Sequence, residues 1–167
     1  FVIFRNWNRI PVERIAAVLA TTPERTIREA ERMGLRPYDP EMCRRWKKYG
    51  YLTLIRQNWH ILDYEQLLKL LDIDSSRLYR ILMDEDFMFH KLGMGKRFCP
   101  KVEFRELSPV EAEETARIRE ILSPLVTETG GEREFDFLEK LRAPIRHASP
   151  NQQRGDDLRM IYSYCAS

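Results

Sequence analysis

The side chains best placed to bind something are arginines. In "TTPERTIREAERMGL", residues 21–35, Arg25, Arg28 and Arg32 recur at helical spacing, with Thr26 among them. At about 100° per residue the three arginines lie within about 60° of one another, and Ile27, Ala30 and Met33 share the opposite face. A guanidinium fork holds phosphate oxygens and guanine edges, so a helix anchored on one face and basic on the other can lie on duplex DNA. The same helix also carries Glu24, Glu29 and Glu31, which make it neutral. Glu24–Arg28 and Arg25–Glu29 are i,i+4 pairs, and Arg28–Glu31 and Glu29–Arg32 are i,i+3 pairs. Each such pair steadies an exposed helix by about 0.2–0.5 kcal/mol. Two readings therefore stay open: DNA contact, or a self-paired solvated face.

A second basic run, "RRWKKYGY" at 44–51, interleaves Arg44, Arg45, Lys47 and Lys48 with Trp46 and Tyr49. Cations could follow phosphates there while the rings stack bases. Against this, Met42, Trp46 and Tyr49 fall at i, i+4 and i+7, the spacing of a stripe that faces a core. Further on, Arg77 and Arg80 share a helix ending in Asp84-Glu85-Asp86, three carboxylates that would repel a phosphate backbone. His90, Lys91, Lys96, Arg97 and Lys101 then form a loose basic group.

Little points to catalysis. His60, His90 and His147 lack the spacing of metal ligands or of a catalytic base, and His60 in "NWHIL" reads as packed or capping. Asp156-Asp157 is an isolated pair. No phosphate loop, dinucleotide fingerprint or nucleophile elbow is present. Cys43, Cys99 and Cys165 are odd in number and far apart, which suggests reduced, buried thiols in a cytoplasmic protein rather than disulfides or a zinc site. No catalytic residue, metal or cofactor is expected.

The elements that position these residues are helical. Thr22-Pro23, Asp39-Pro40 and Ser108-Pro109 each place a capping side chain before a proline suited to a first helical turn. Ser108 and Glu111 also fit a capping box. Helices are expected near 11–20, 23–33, 40–49, 63–71, 75–84, 109–127 and 132–142. The stretch 51–60 is ambiguous and reads as helix. "VERIAAVLATTPERTIREAERMGL" aligns with "YEQLLKLLDIDSSRLYRILMDEDF" at an offset of 52 residues, pairing Ile15 with Leu67, Val18 with Leu70, Leu19 with Leu71 and Leu35 with Phe87. Thr22 and Asp74 are the matching caps, which outlines two tandem helix-turn-helix-like units. After the second unit, Phe87–His90 and Lys96–Phe104 flank Gly93-Met94-Gly95 and suggest a small β-hairpin, the wing of a winged-helix arrangement.

The 167 residues are 43% hydrophobic and 32% charged, an ordinary globular composition. Residues 1–60 hold 12 Lys+Arg against 6 Asp+Glu, and residues 61–167 hold 16 against 20. A basic first third is compatible with an anionic partner. No run approaches the roughly 20 apolar residues of a membrane span.

The stretch "NWHILDYEQLLKLLDIDSSRLYRILMDEDFMFHKLG", 58–93, resembles an N-terminal region of large, uncharacterised bacterial proteins. In these the helical region precedes a domain similar to glycoside hydrolases of the α/β-barrel type. The resemblance implies an accessory domain, with the closing "RMIYSYCAS" as the first strand of a following domain. It places no catalytic residue in this chain.

The expected architecture is mainly α. Residues 1–60 hold the first unit and a following helix. Residues 61–107 hold the second unit with its hairpin, 108–142 a long amphipathic connector, and 143–167 an irregular tail. The expected function is a non-catalytic interaction module of a larger bacterial protein, packed on the remainder of its parent chain. The alternative is a DNA-binding module using Arg25, Thr26, Arg28, Arg32, Arg44, Arg45, Lys47 and Lys48.

Overall fold

Side-chain caps set where the helices begin. Thr22 Oγ1 accepts from Arg25 N (3.3 Å), Asp39 Oδ1 from Glu41 N (3.0 Å), Asp63 Oδ1 from Gln66 N (2.7 Å) and Asp74 Oδ1 from Arg77 N (2.7 Å). Each satisfies one of the amides that a first turn leaves unpaired. The computed structural model describes residues 1–122 and 133–147, which fall in two compact units, Phe1–Gly131 and Glu132–Ser167. The first unit contains α1 (Val2–Asn6), α2 (Val12–Val18), α3 (Pro23–Arg32), α4 (Pro40–Tyr49) and α5 (Tyr51–Asn58). It continues with α6 (Tyr64–Leu71), α7 (Ser75–Asp84), α8 (Met88–Lys91) and α9 (Pro109–Leu122). The second unit contains α10 (Asp136–His147). Among the described residues there is no strand.

The core lies where α2 packs on α3 and α6. Ile15 and Leu67, equivalent at the offset of 52, are both fully buried, as are Leu70 and Leu78. Each contributes about 1.5–3 kcal/mol of burial. Met42 and Trp46 of α4 are buried and Tyr49 is half-buried, so the i, i+4, i+7 stripe faces inward. Gly50 separates α4 from α5, and a Cβ there would collide with the Trp46 ring.

The repeat reaches further back than its apolar pattern shows. Asn6-Trp7 and Asn58-Trp59 are also 52 residues apart, and both asparagines are fully buried. Asn6 Nδ2 donates to Asn58 Oδ1 (2.9 Å) and Asn58 Nδ2 to Asn6 Oδ1 (2.8 Å). Arg5 Nη1 donates to Gln57 O, and Gln57 Nε2 to Arg5 O. Contacts in which equivalent positions exchange roles define a local two-fold axis. The helix pairs α1–α2 and α5–α6 are related by it, whereas α7 does not pack on α5 and α6 as α3 does on α1 and α2. Ala20 and Asp72 follow the two equivalent helices α2 and α6 in the same left-handed conformation (φ 53° and 56°). The likeness fades at the end: Leu35 is half-buried, whereas Phe87 is 75% exposed.

The expected hairpin is not formed. Phe87 to His90 do not alternate as a strand. Met88 and Leu92, four residues apart, are the buried pair, and they turn the segment into α8. Residues 96–107 have no regular secondary structure and pair with no strand. Pro100 lacks an N–H, and the neighbouring backbone groups find other partners. Phe104 N donates to Leu19 O (2.7 Å). The buried Gln66 amide stands in for an adjacent strand: Oε1 accepts from Val102 N (3.0 Å) while Nε2 donates to Val102 O (2.6 Å) and to Val18 O (2.8 Å). The segment is a strap over α2 and α6.

α9 opens with the capping box, Ser108 N donating to Glu111 Oε2 (2.9 Å) and Glu111 N to Ser108 Oγ (3.4 Å). Residues 123–127, expected to extend it, lie outside the described residues. In the second unit α10 continues to His147, through residues 143–147 that were expected to be irregular. Pro144 lies inside this helix, which tolerates a proline at the loss of one backbone hydrogen bond. The expected strand "RMIYSYCAS" and Asp156-Asp157 lie outside the described residues.

Candidate functional site

The basic face of α3 is largely spoken for. Arg25 lies over the Phe104 ring (5.2 Å to its centre) and pairs with Glu106 Oε1 (2.5 Å), both on the strap. Thr26 is fully buried and its hydroxyl donates to Thr22 O (3.0 Å), so it faces the core rather than a ligand. Arg32 pairs with Glu29 (3.4 Å), and its carbonyl accepts from Arg119 Nη1 (3.4 Å) of α9. Among the described residues the other three expected pairs of this helix do not close, and exposed Arg28 has no partner.

The basic run on α4 also resolves side chain by side chain. Trp46 is buried under Arg9, whose guanidinium stacks 4.6 Å from the ring centre, so this indole is no platform for bases. Arg44 pairs with Glu41 (3.1 Å), Lys47 approaches Asp72 (3.7 Å) and Lys48 lies over the Tyr49 ring (4.8 Å). Arg45 is half-buried. The cations expected on a wing separate. Lys91 pairs with Asp86 (2.7 Å), while Arg97, Lys101, His90 and also His60 are exposed. Lys96 turns inward, its ammonium donating to Trp59 O (2.7 Å) and Leu62 O (2.5 Å) beyond the end of α5. It clamps the strap in place.

What the tertiary structure assembles instead is a groove of about 690 Å³ between α2, α4, α5 and α7. Ile10, Cys43, Leu54, Ile55, Leu71 and Ile81 form its floor, all buried. Arg9, Arg14, Arg44, Lys47, Lys48 and Arg77 line it with cationic groups, and Glu13 is the one carboxylate of the lining. Asp72 stands at the edge and binds Arg14 (2.5 Å) as well as Lys47. Arg9, Lys48 and Arg77 have no carboxylate partner among the described residues. Mixed apolar floors with a few convergent polar groups are the usual form of a ligand site, and 690 Å³ is in the usual range.

The phenols and the thiol of the groove are held neutral. Burial pushes the Tyr38 phenol up to about 12, and burial likewise raises the Cys43 thiol. Tyr51 is raised first by its hydrogen bond to Glu85, then by burial. A neutral thiol is a poor nucleophile. The chemistry on offer is recognition of an anion beside apolar contact. Among the described residues no group of three or more His, Cys, Asp or Glu could hold a metal ion, and no helix is long and apolar enough to cross a membrane.

Of the expected site residues, Arg44, Lys47 and Lys48 reach the groove, whereas Arg25, Thr26, Arg28, Arg32 and Arg45 do not line it. Sequence spacing misses Arg9, Arg14 and Arg77, which come from three separate segments. The repeat does hold one signal, since Arg77 is the equivalent of Arg25. No protein-family model, no curated protein and no solved structure matches the chain.

Proposed function

We propose that the chain is a non-catalytic, helix-turn-helix-like interaction module of a larger bacterial protein, and that its groove is the surface that receives a polypeptide partner. The observation that carries this reading is the gathering of Arg9, Lys48 and Arg77, without carboxylate partners among the described residues, around a buried apolar floor. Cations beside a concave low-dielectric wall attract anions more strongly than cations on an open surface. The resemblance of residues 58–93 to the front of large bacterial proteins supports a parent chain beyond this module.

Duplex DNA is the second reading, favoured by exposed Arg28 on α3. With Arg25 held by Glu106 and Arg32 by Glu29, one free arginine is a narrow basis for it. Amide chemical shifts of the 167-residue chain, titrated with poly-L-glutamate and with a mixed-sequence duplex, separate the two. The salt should be about 50 mM, where nonspecific DNA binding is strong. Poly-L-glutamate is expected to move amides at Arg9, Arg14, Lys48 and Arg77. Unmoved groove amides defeat the interaction reading. Duplex-induced shifts around Arg28 that vanish in Arg28→Glu would establish the DNA reading in its place.

A further inference from the structure

The groove and the seat of the strap use positions 52 residues apart. The strap is held through Gln66, the carbonyl of Leu19, the carbonyl of Leu62 and the guanidinium of Arg25. Moved by 52 residues, those positions become Arg14, Leu71, Ile10 and Arg77, and all four line the groove. Gln66 Nε2 reaches Val18 O near the end of the opposite helix, and Arg14 Nη1 reaches Leu71 O (3.5 Å), one residue beyond the position equivalent to Val18. On one side of the local two-fold axis the seat is covered by residues 96–107. On the other side no described segment lies in it, and α4 adds an outer wall.

We infer that the groove binds an extended, acidic peptide segment of a partner protein, bearing an aromatic residue followed two positions later by a carboxylate. This rests on the reading of the groove as an interaction surface. The strap itself shows how the seat is used. Phe104 and Glu106, two residues apart as on one face of an extended chain, both engage Arg25. Arg77 is the Arg25 equivalent and has no carboxylate partner among the described residues. The acidic preference comes from the exchange between the two seats. Neutral Gln66 becomes cationic Arg14, and Arg9, Lys47 and Lys48 are added beside it. The rim already holds a carboxylate, since Asp72 bridges Arg14 and Lys47 and would compete with an incoming acid. A nucleic-acid backbone or a lipid surface supplies anions but no side chain two residues from an aromatic anchor on an extended strand.

The test is fluorescence anisotropy of the 167-residue chain with a labelled peptide, Glu-Val-Glu-Phe-Glu-Glu, and with the same peptide carrying Ala for Phe. The Phe peptide should bind about tenfold tighter or more, the effect of burying a large side chain. Arg77→Glu should weaken it by about tenfold or more, and Lys48→Glu provides a second variant on another helix. Asp72→Asn should tighten it a few-fold by releasing Arg14 and Lys47, a gain that a merely structural Asp72 would not give. Asn accepts the left-handed backbone at this position. Equal binding of the Phe and Ala peptides overturns the inference while leaving the groove as an anion-binding surface. Binding of neither peptide nor poly-L-glutamate overturns both. Displacement of the peptide by duplex DNA or anionic vesicles at lower concentration assigns the wrong class of occupant. Self-association of the chain that Phe104→Ala abolishes shows the occupant to be a second copy instead.

Discussion

Asn6 and Asn58 exchange hydrogen bonds across the local two-fold axis, and each donates its second amide hydrogen to the carbonyl four residues before it, Val2 O (3.0 Å) and Leu54 O (2.9 Å). Both Nδ2 groups thus use both of their hydrogens, and each Oδ1 accepts one bond. A fully satisfied polar pair in a buried position fixes how two halves meet, because no shifted packing restores the same partners.

Removing one asparagine orphans the other. Asn6→Ala should cost about 2–4 kcal/mol, the sum of a lost buried bond network and a small cavity. The double variant Asn6→Ala, Asn58→Ala should cost clearly less than the two singles together, since no amide is then left unpaired. Denaturant unfolding followed by circular dichroism measures all three. Strict additivity would show that the two side chains do not act as a pair.

The strap depends on one glutamine. Gln66→Leu keeps the volume of the side chain but leaves Val18 O and both polar groups of Val102 without their partner. About 2–3 kcal/mol should be lost, and hydrogen exchange at the Val102 and Phe104 amides should accelerate well beyond that of the α6 core. Unchanged exchange at Val102 would show that the strap is held by other contacts.

Glu111 gives a pH signature at the start of α9. Its carboxylate binds Arg105 first, then the backbone and hydroxyl of Ser108, which together bring it from 4.5 down to about 2. A depressed carboxyl contributes stability that is fully present above its unfolded value and disappears as pH falls through the folded one. The first turn of α9 should therefore loosen between about pH 4.5 and 2. Carboxylate carbon shifts of Glu111 should titrate near 2, and Glu111→Gln should remove the step. A midpoint near 4.5 would mean that the Arg105 and Ser108 contacts do not persist in solution.

Much of the chain is legible locally. Thr22, Asp39, Asp74 and Ser108 each act within three residues of themselves, so capping, prolines and apolar spacing were enough to place most helices. The repeat was visible through Ile15, Leu67 and their neighbours because identical packing demands identical apolar positions. The hairpin failed for a local reason as well. An alternation over four residues, Phe87 to His90, is too short to outweigh the i,i+4 burial of Met88 and Leu92.

The binding surface belongs to tertiary structure. Arg25 meets Glu106 across 81 residues and Gln66 meets Val102 across 36, and no local rule states whether a charged side chain will find such a partner. Lys96, read as a wing cation, is an internal clamp because two backbone carbonyls left over near the end of α5 lie within its reach. The sequence by itself determined a mainly helical chain built on a doubled unit, since those properties follow from neighbours along the backbone. Only the folded arrangement decided that one side of the doubled unit is strapped shut and the other is a cation-lined groove, since burial and charge pairing depend on distance in space.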